Sequence, residues 1–190
     1  MSRFSLFASA ALATLLLASI PASAESMNEK TVNVGGAPMY PSKNIVQNAV
    51  NSKDHTTLVA AVKAAGLVDT LQSAGPFTVF APTNAAFAKL PAGTVNNLVK
   101  PENKDTLTKI LTYHVVPGRL TAATLMKAIK DGEGTAKFKT VAGGDIWIKQ
   151  AGPGKLSVTD AKGDVAMVTI PDVLQSNGVI HVIDTVLLPM

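Results

Sequence analysis

Asn177-Gly178-Val179-Ile180-His181-Val182-Ile183-Asp184-Thr185-Val186-Leu187-Leu188-Pro189 is the stretch that decides the fold. Val179, Ile180, Val182 and Ile183 read as core residues of a short strand. The segments before it alternate with period two. Residues 137–141 and 145–149 flank Ala142-Gly143-Gly144 and predict a hairpin. Residues 156–159 and 165–170 predict a second one around Ala161-Lys162-Gly163. Nearer the start the period becomes helical. Ser42 is placed to cap a helix carrying Ile45, Val46, Ala49 and Val50. Asp54, Thr56 or Thr57 is placed to cap a second, with Leu58, Val59, Val62 and Ala65 inward and Gly66 as its C′ residue. Helical turns follow at 67–73, 93–99 and 103–112, and Thr121 caps a helix that turns Leu125, Met126 and Ile129 inward. Two β-type runs, 77–80 and 113–116, end at prolines. Helices gather in the first half and strands in the second. That segregation implies α+β, with helices packed on a mostly antiparallel sheet, and argues against a doubly wound fold.

Residues 1–24 have the layout of a secretory signal peptide. Arg3 precedes an apolar run over 4–20, Pro21 breaks it, and Ala22-Ser23-Ala24 forms an A-x-A cleavage site. A membrane anchor needs about 20 apolar residues, and this run is shorter and carries Ser and Thr. The mature chain is expected to start at Glu25 and to be periplasmic or extracellular. Residues 25–41, polar with two prolines and Gly35-Gly36, read as an extended arm, and 42–190 as one domain. No later run is long enough to span a membrane.

Composition narrows the chemistry. The 190 residues include no cysteine, which excludes disulfides, thiolate zinc, iron–sulfur clusters, a cysteine nucleophile and a lipidated cysteine. The net charge is +4 with no cluster of five basic residues, which argues against nucleic acid as a partner. His114, His181 and Asp184 are residue types that do acid–base work, but their spacing matches no ligand or catalytic pattern, so neither a metal nor a cofactor is expected. No serine lies in a G-x-S-x-G context. Asp160 and the Asp131-Gly132-Glu133 carboxylates sit in turns without fixed pairing. Trp147 and Phe138 are expected to face the core. Met39, Met167 and Met190 could form a thioether copper site, though nothing in the sequence brings them together.

Three segments also match one family in order and spacing: Thr78-Val79-Phe80-Ala81-Pro82-Thr83-Asn84-Ala85-Ala86-Phe87, Tyr113-His114-Val115-Val116-Pro117-Gly118, and the stretch from Asn177 to Pro189. Together they resemble the fasciclin (beta-Ig-H3/fasciclin) domain, in its small, secreted, bacterial single-domain form. Physically, Thr78, Phe80, Pro82, Thr83, Asn84 and Phe87 read as a strand end, a stop and a capped helix, and Asn177, Gly178, His181 and Asp184 as fold residues. The resemblance implies a fasciclin-like fold and extracellular recognition without catalysis. It implies two candidate adhesion patches: Asp172-Val173-Leu174, where the family's Asp-Ile pair is implicated in integrin binding and Val173 stands in place of Ile, and Tyr113-His114. Asp172→Ala is therefore expected to weaken adhesion with little change in melting temperature, and His114→Ala to lower stability. The expected function is adhesion, matrix or biofilm contact, or host contact, through a protein or surface partner. The alternative is a periplasmic carrier or sensor of a small apolar ligand or metal. Oligomeric state cannot be read from the sequence.

Overall fold

A computed structural model describes residues 30–190. The expected signal segment and its cleavage site lie outside the described residues. The lead-in forms a hairpin of β1 (Val32–Val34) and β2 (Ala37–Met39) instead of an extended arm. Gly35 and Gly36, both at positive φ, make the turn, and Val34 and Met39 enter the core.

Helix α1 (Ile45–Ala49) is capped by Asn44, not Ser42. Asn44 Oδ1 accepts from Gln47 N–H at 2.9 Å, and Gln47 Oε1 accepts from Asn44 N–H at 3.0 Å. This reciprocal pair meets two of the free amides at the helix start. Helix α2 (Thr56–Ala65) follows a 3-10 turn and has no side-chain cap at its own N-cap residue. Asn84 supplies the bond from a distance, accepting from Thr57 N–H at 3.0 Å and donating to the Lys53 carbonyl at 2.8 Å. Gly66, at φ +72, ends α2 as expected.

The chain continues through α3 (Val68–Gln72), β3 (Phe77–Pro82), α4 (Asn84–Ala88, capped by Thr83), α5 (Thr94–Leu98) and α6 (Lys104–Tyr113). Strand β4 (Val115–Pro117) and α7 (Ala122–Asp131, capped by Thr121) lead into β5 (Thr135–Lys139), β6 (Asp145–Gly152), β7 (Lys155–Thr159), β8 (Val165–Gln175) and β9 (Gly178–Ile183). The last seven strands form one sheet in the order β4-β3-β9-β8-β7-β6-β5. Every pairing is antiparallel except β3 with β9. The sheet curls until the turn after β5 reaches the opposite edge, where Val141 N–H donates to the Val115 carbonyl at 2.8 Å.

The parallel pair β3–β9 is buried on both faces. Val79, Ala81, Ile180 and Val182 point into a core shared with α1–α4 and α6. Phe80 and Ile183 point into a second core inside the curl, closed by Leu125 and Ile129 of α7. Trp147 corrects an expectation. It is in phase with Asp145 and Lys149, so the pleat turns it outward beside Lys137 while Ile146 and Ile148 face in. Phe138 packs against the second core as expected.

Asn177, in the turn between β8 and β9, ties the two halves together. Its Oδ1 accepts from Ile45 N–H at 3.1 Å, and its Nδ2 donates to the Leu71 and Ser73 carbonyls at 2.8 and 2.9 Å. The next residue must be glycine, because a Cβ on Gly178 would lie 2.0 Å from the Phe77 carbonyl oxygen. Asn177→Ala leaves two buried backbone groups, the Ile45 N–H and the Leu71 carbonyl, and the part-buried Ser73 carbonyl without this partner. We expect urea denaturation to show a loss of about 3 kcal/mol or more, with no change in m-value.

Candidate functional site

Tyr113 and His114 were expected in a strand but end helix α6. The periodic stripe of Leu107, Ile110 and Leu111 carries the helix to Tyr113, and the chain extends only at Val115. Both side chains are buried. The Tyr113 hydroxyl donates to the Asp145 carbonyl and accepts from Ala161 N–H at 2.9 Å. His114 Nδ1 donates to the Ile110 carbonyl at 2.8 Å, and Nε2 accepts from Leu187 N–H at 2.9 Å. A second proton on this ring would point at an amide hydrogen. Burial lowers the His114 pKa to about 4, outweighing the Ile110 carbonyl and the Asp160 charge, which both favour the protonated ring.

His181 is built the same way. Its Nε2 donates to the Leu120 carbonyl at 2.7 Å, its Nδ1 accepts from Asp172 N–H at 3.3 Å, and its ring stacks on Phe80 with centroids 5.6 Å apart. Burial lowers its pKa too. Asp172 sits where β8 bulges, at φ +54, a conformation that Asp tolerates better than most residues. Its Oδ1 accepts from Ala122 N–H at 2.6 Å, so Asp172 joins Thr121 in capping α7. Val173 is buried, whereas Leu174 is 39% exposed. Exposed Arg119 donates to the carbonyls of Gln175 and Ser176, which follow Leu174 in the chain, at 2.9 and 3.3 Å.

The remaining motif residues also serve backbone groups. Thr78 Oγ1 donates to the Gly118 carbonyl at 2.7 Å and accepts from Leu120 N–H at 2.8 Å. Asp184 Oδ1 accepts from Met167 N–H at 2.8 Å, and its Oδ2 lies 3.4 Å from Lys89 Nζ. Burial opposes the Asp184 charge, but those bonds, the Thr185 hydroxyl and Lys89 outweigh it and hold the carboxyl below its ordinary range. Among the described residues, no three His, Asp or Glu side chains converge as a metal site.

Two features were missed in the sequence. Asp160 was read as an unpaired turn carboxylate. It is buried, and its oxygens accept from the amides of Lys162, Asp164 and Leu188 at 2.8–2.9 Å. The link to Leu188 is the unreadable part, since it joins residues distant in sequence. The second feature is a cavity of about 70 Å³ on the helical side of the sheet. Its wall is almost wholly apolar and includes Met39, Ala49, Val62 and Val173, together with the edge of buried His55. His55 Nδ1 bonds the Ser52 hydroxyl at 2.9 Å, while Nε2 has no hydrogen-bond partner. The Ala81 carbonyl favours a proton on the ring but lies outside hydrogen-bond geometry for Nε2, and burial outweighs it to lower the His55 pKa.

Two outcomes follow. Asp172→Ala removes a helix cap and places a non-polar residue at positive φ, so stability should fall by about 1–2 kcal/mol in urea. Asp172→Asn, which keeps an acceptor, should retain most of it. This replaces the expectation of an unchanged melting temperature. The second outcome concerns pH. The folded-state pKa of His114, about 4, lies below the ordinary histidine value of 6.5. As pH falls the unfolded chain therefore takes the proton first, and stability drops from near pH 6.5 until it levels near pH 4. The His114 share is roughly 3 kcal/mol. His55 and His181 are shifted in the same direction. Urea midpoints between pH 7.5 and 4 should show the fall, and His114→Gln should make it shallower.

Comparison with known proteins agrees with this frame. The fasciclin domain model matches residues 53–189. A Synechocystis protein, sll1483, is 50% identical over 163 residues, covering 85% of this chain and 82% of its own. The immunogenic protein MPB70 of Mycobacterium bovis is 36% identical over 174 residues, covering 89% of this chain and 74% of its own. The structure of a FAS1 domain pair from the insect cell adhesion molecule Fasciclin I superposes with a TM-score of 0.68 at 20% identity. That match covers 85% of this chain and 58% of the pair, and at this identity it bears on the fold alone. The helices, the mostly antiparallel curled sheet and the extent of these matches agree: this chain belongs to the fasciclin domain family.

Proposed function

We propose that the protein is a secreted or periplasmic binding module that mediates adhesion at the cell surface, in a matrix or biofilm, or toward a host, without catalysing a reaction. One observation carries this reading: the polar signature side chains turn inward and bond backbone groups. Both ring nitrogens of His114 and His181 are engaged in this way. Chemistry that needs a free acid, base or nucleophile finds none in these motifs, and the outer surface is left to do the work. The name of Fasciclin I, a cell adhesion molecule, supports the same direction. So does the signal-peptide layout of residues 1–24.

Of the expected contact residues, Tyr113, His114 and Val173 are buried and act by shaping the domain. The contact surface is assigned to exposed Leu174 with its neighbours Pro171, Ser176 and Arg119. An apolar side chain beside an arginine on a rigid strand suits a partner surface of mixed polarity. Asp172 holds the bulge that presents it.

The test is binding of the purified mature protein to the surface of the cells that produce it. Leu174→Glu should weaken binding about tenfold, the range of a contact residue at an interface, with an unchanged melting temperature. Equal binding by that variant would remove this surface from the reading. Absence of any surface binding by the wild type would remove the function.

A further inference from the structure

The cavity beneath the helices lies inside the protein and is independent of the Leu174 surface, so an inference from it goes beyond the adhesion reading. Its wall draws on β2, α1, α2, α3 and the paired strands β3 and β9. Amid that apolar wall His55 Nε2 stands without a partner. The Ser52 hydroxyl at Nδ1 and the Ala81 carbonyl near the ring together favour the tautomer with its proton on Nε2. The Ala81 carbonyl is too poorly aligned to bond Nε2 fully, so this buried N–H gains from a better-placed acceptor.

The surroundings narrow what could satisfy it. A buried water needs two to four polar partners, and among the described residues His55 Nε2 is the one buried side-chain polar atom without a hydrogen bond. A charged group would lose its hydration without gaining a counter-charge. A metal ion would find a single nitrogen ligand. What fits is a hydrocarbon body with one oxygen. We propose that the cavity is a binding site for a compact, uncharged apolar molecule bearing one oxygen acceptor, such as a ketone, ester or ether. Its oxygen accepts the His55 Nε2 proton, and its hydrocarbon part fills the space between α1–α3 and the β3–β9 pair.

Size sets the route of entry. The cavity's volume of about 70 Å³ is roughly half that of an engineered cavity that holds benzene. Occupancy therefore requires α1 and α3 to ride outward. Each has only five residues, and α3 has no side-chain cap at its N-terminus. Helices so short gain little stability of their own. Half-buried Val46 and Val68 on these two helices, with exposed Lys63 and Thr70, edge the cavity on this side.

Cyclopentanone and its acceptor-free counterpart methylcyclopentane are the probes, followed by NMR of the His55 ring nitrogens and the valine methyl groups. Cyclopentanone should shift Nε2 and the Val59 and Val62 methyls saturably. His55→Leu should weaken cyclopentanone about tenfold, the loss expected for an unpaired buried oxygen, and leave methylcyclopentane unweakened. Ala49→Leu fills space at the cavity wall and should abolish the saturable shifts with both. If His55→Leu does not fold, the Nε2 shift and Ala49→Leu still decide. The inference is overturned if saturating cyclopentanone leaves Nε2 unmoved, if His55→Leu weakens both probes alike, or if Ala49→Leu binds like the wild type. Leu174→Glu should bind the probes normally, so failure of this site and failure of the adhesion surface are separate results.

Discussion

The parallel pairing of β3 with β9 is the constraint on which the rest depends. Both strands are buried on both faces, so neither can meet water along its length. Their backbone groups are satisfied in the ladder, but the chain must still enter and leave that interior. Every loop that does so brings amides and carbonyls that the ladder does not reach, and buried backbone groups must be paired. Asn177 meets that demand where β9 begins, Thr78 beside the start of β3, and His114 where the chain passes Leu187.

This explains why the polar residues of the motifs resemble a functional site. Histidine, aspartate, asparagine and threonine are the side chains that can accept or donate at fixed positions inside a protein. A Tyr-His pair and an Asp beside an apolar residue look like contact groups when only the chain is seen. In the fold they are braces. His114 and His181 are held neutral by bonds that leave no room for a second proton, which ties stability to pH. Asp172 closes a helix and presents Leu174 without itself needing a partner outside.

The helical side differs in packing from the curled side. The second core, inside the curl, is closed by one ten-residue helix. The first is covered by several short helices and a two-stranded hairpin whose joints meet around the cavity. Short elements cover a sheet less completely than long ones, and a partly covered sheet leaves space. His55, a lining residue whose buried Nε2 makes no hydrogen bond, gives it chemical character. Surface recognition and interior binding can therefore coexist in one domain, since they use different side chains.

Much of the fold was legible because its signals are local. The strand around His181, both late hairpins, the Thr121 and Thr83 caps and the Gly66 stop each depend on residues a few positions apart. Trp147 was misread as a core residue, although its phase with Asp145 and Lys149 already pointed outward. Tyr113-His114-Val115-Val116 misled, because β-type residues followed a helical stripe and only packing of the stripe decided where the helix ended. The cap of α2 by Asn84, the bond from Leu188 to Asp160, the burial of Val173 and the cavity beside His55 depended on tertiary structure. Each joins or separates groups far apart in the chain. Sequence periodicity says which face of an element is apolar; which elements then meet, and how closely, is set only when they pack.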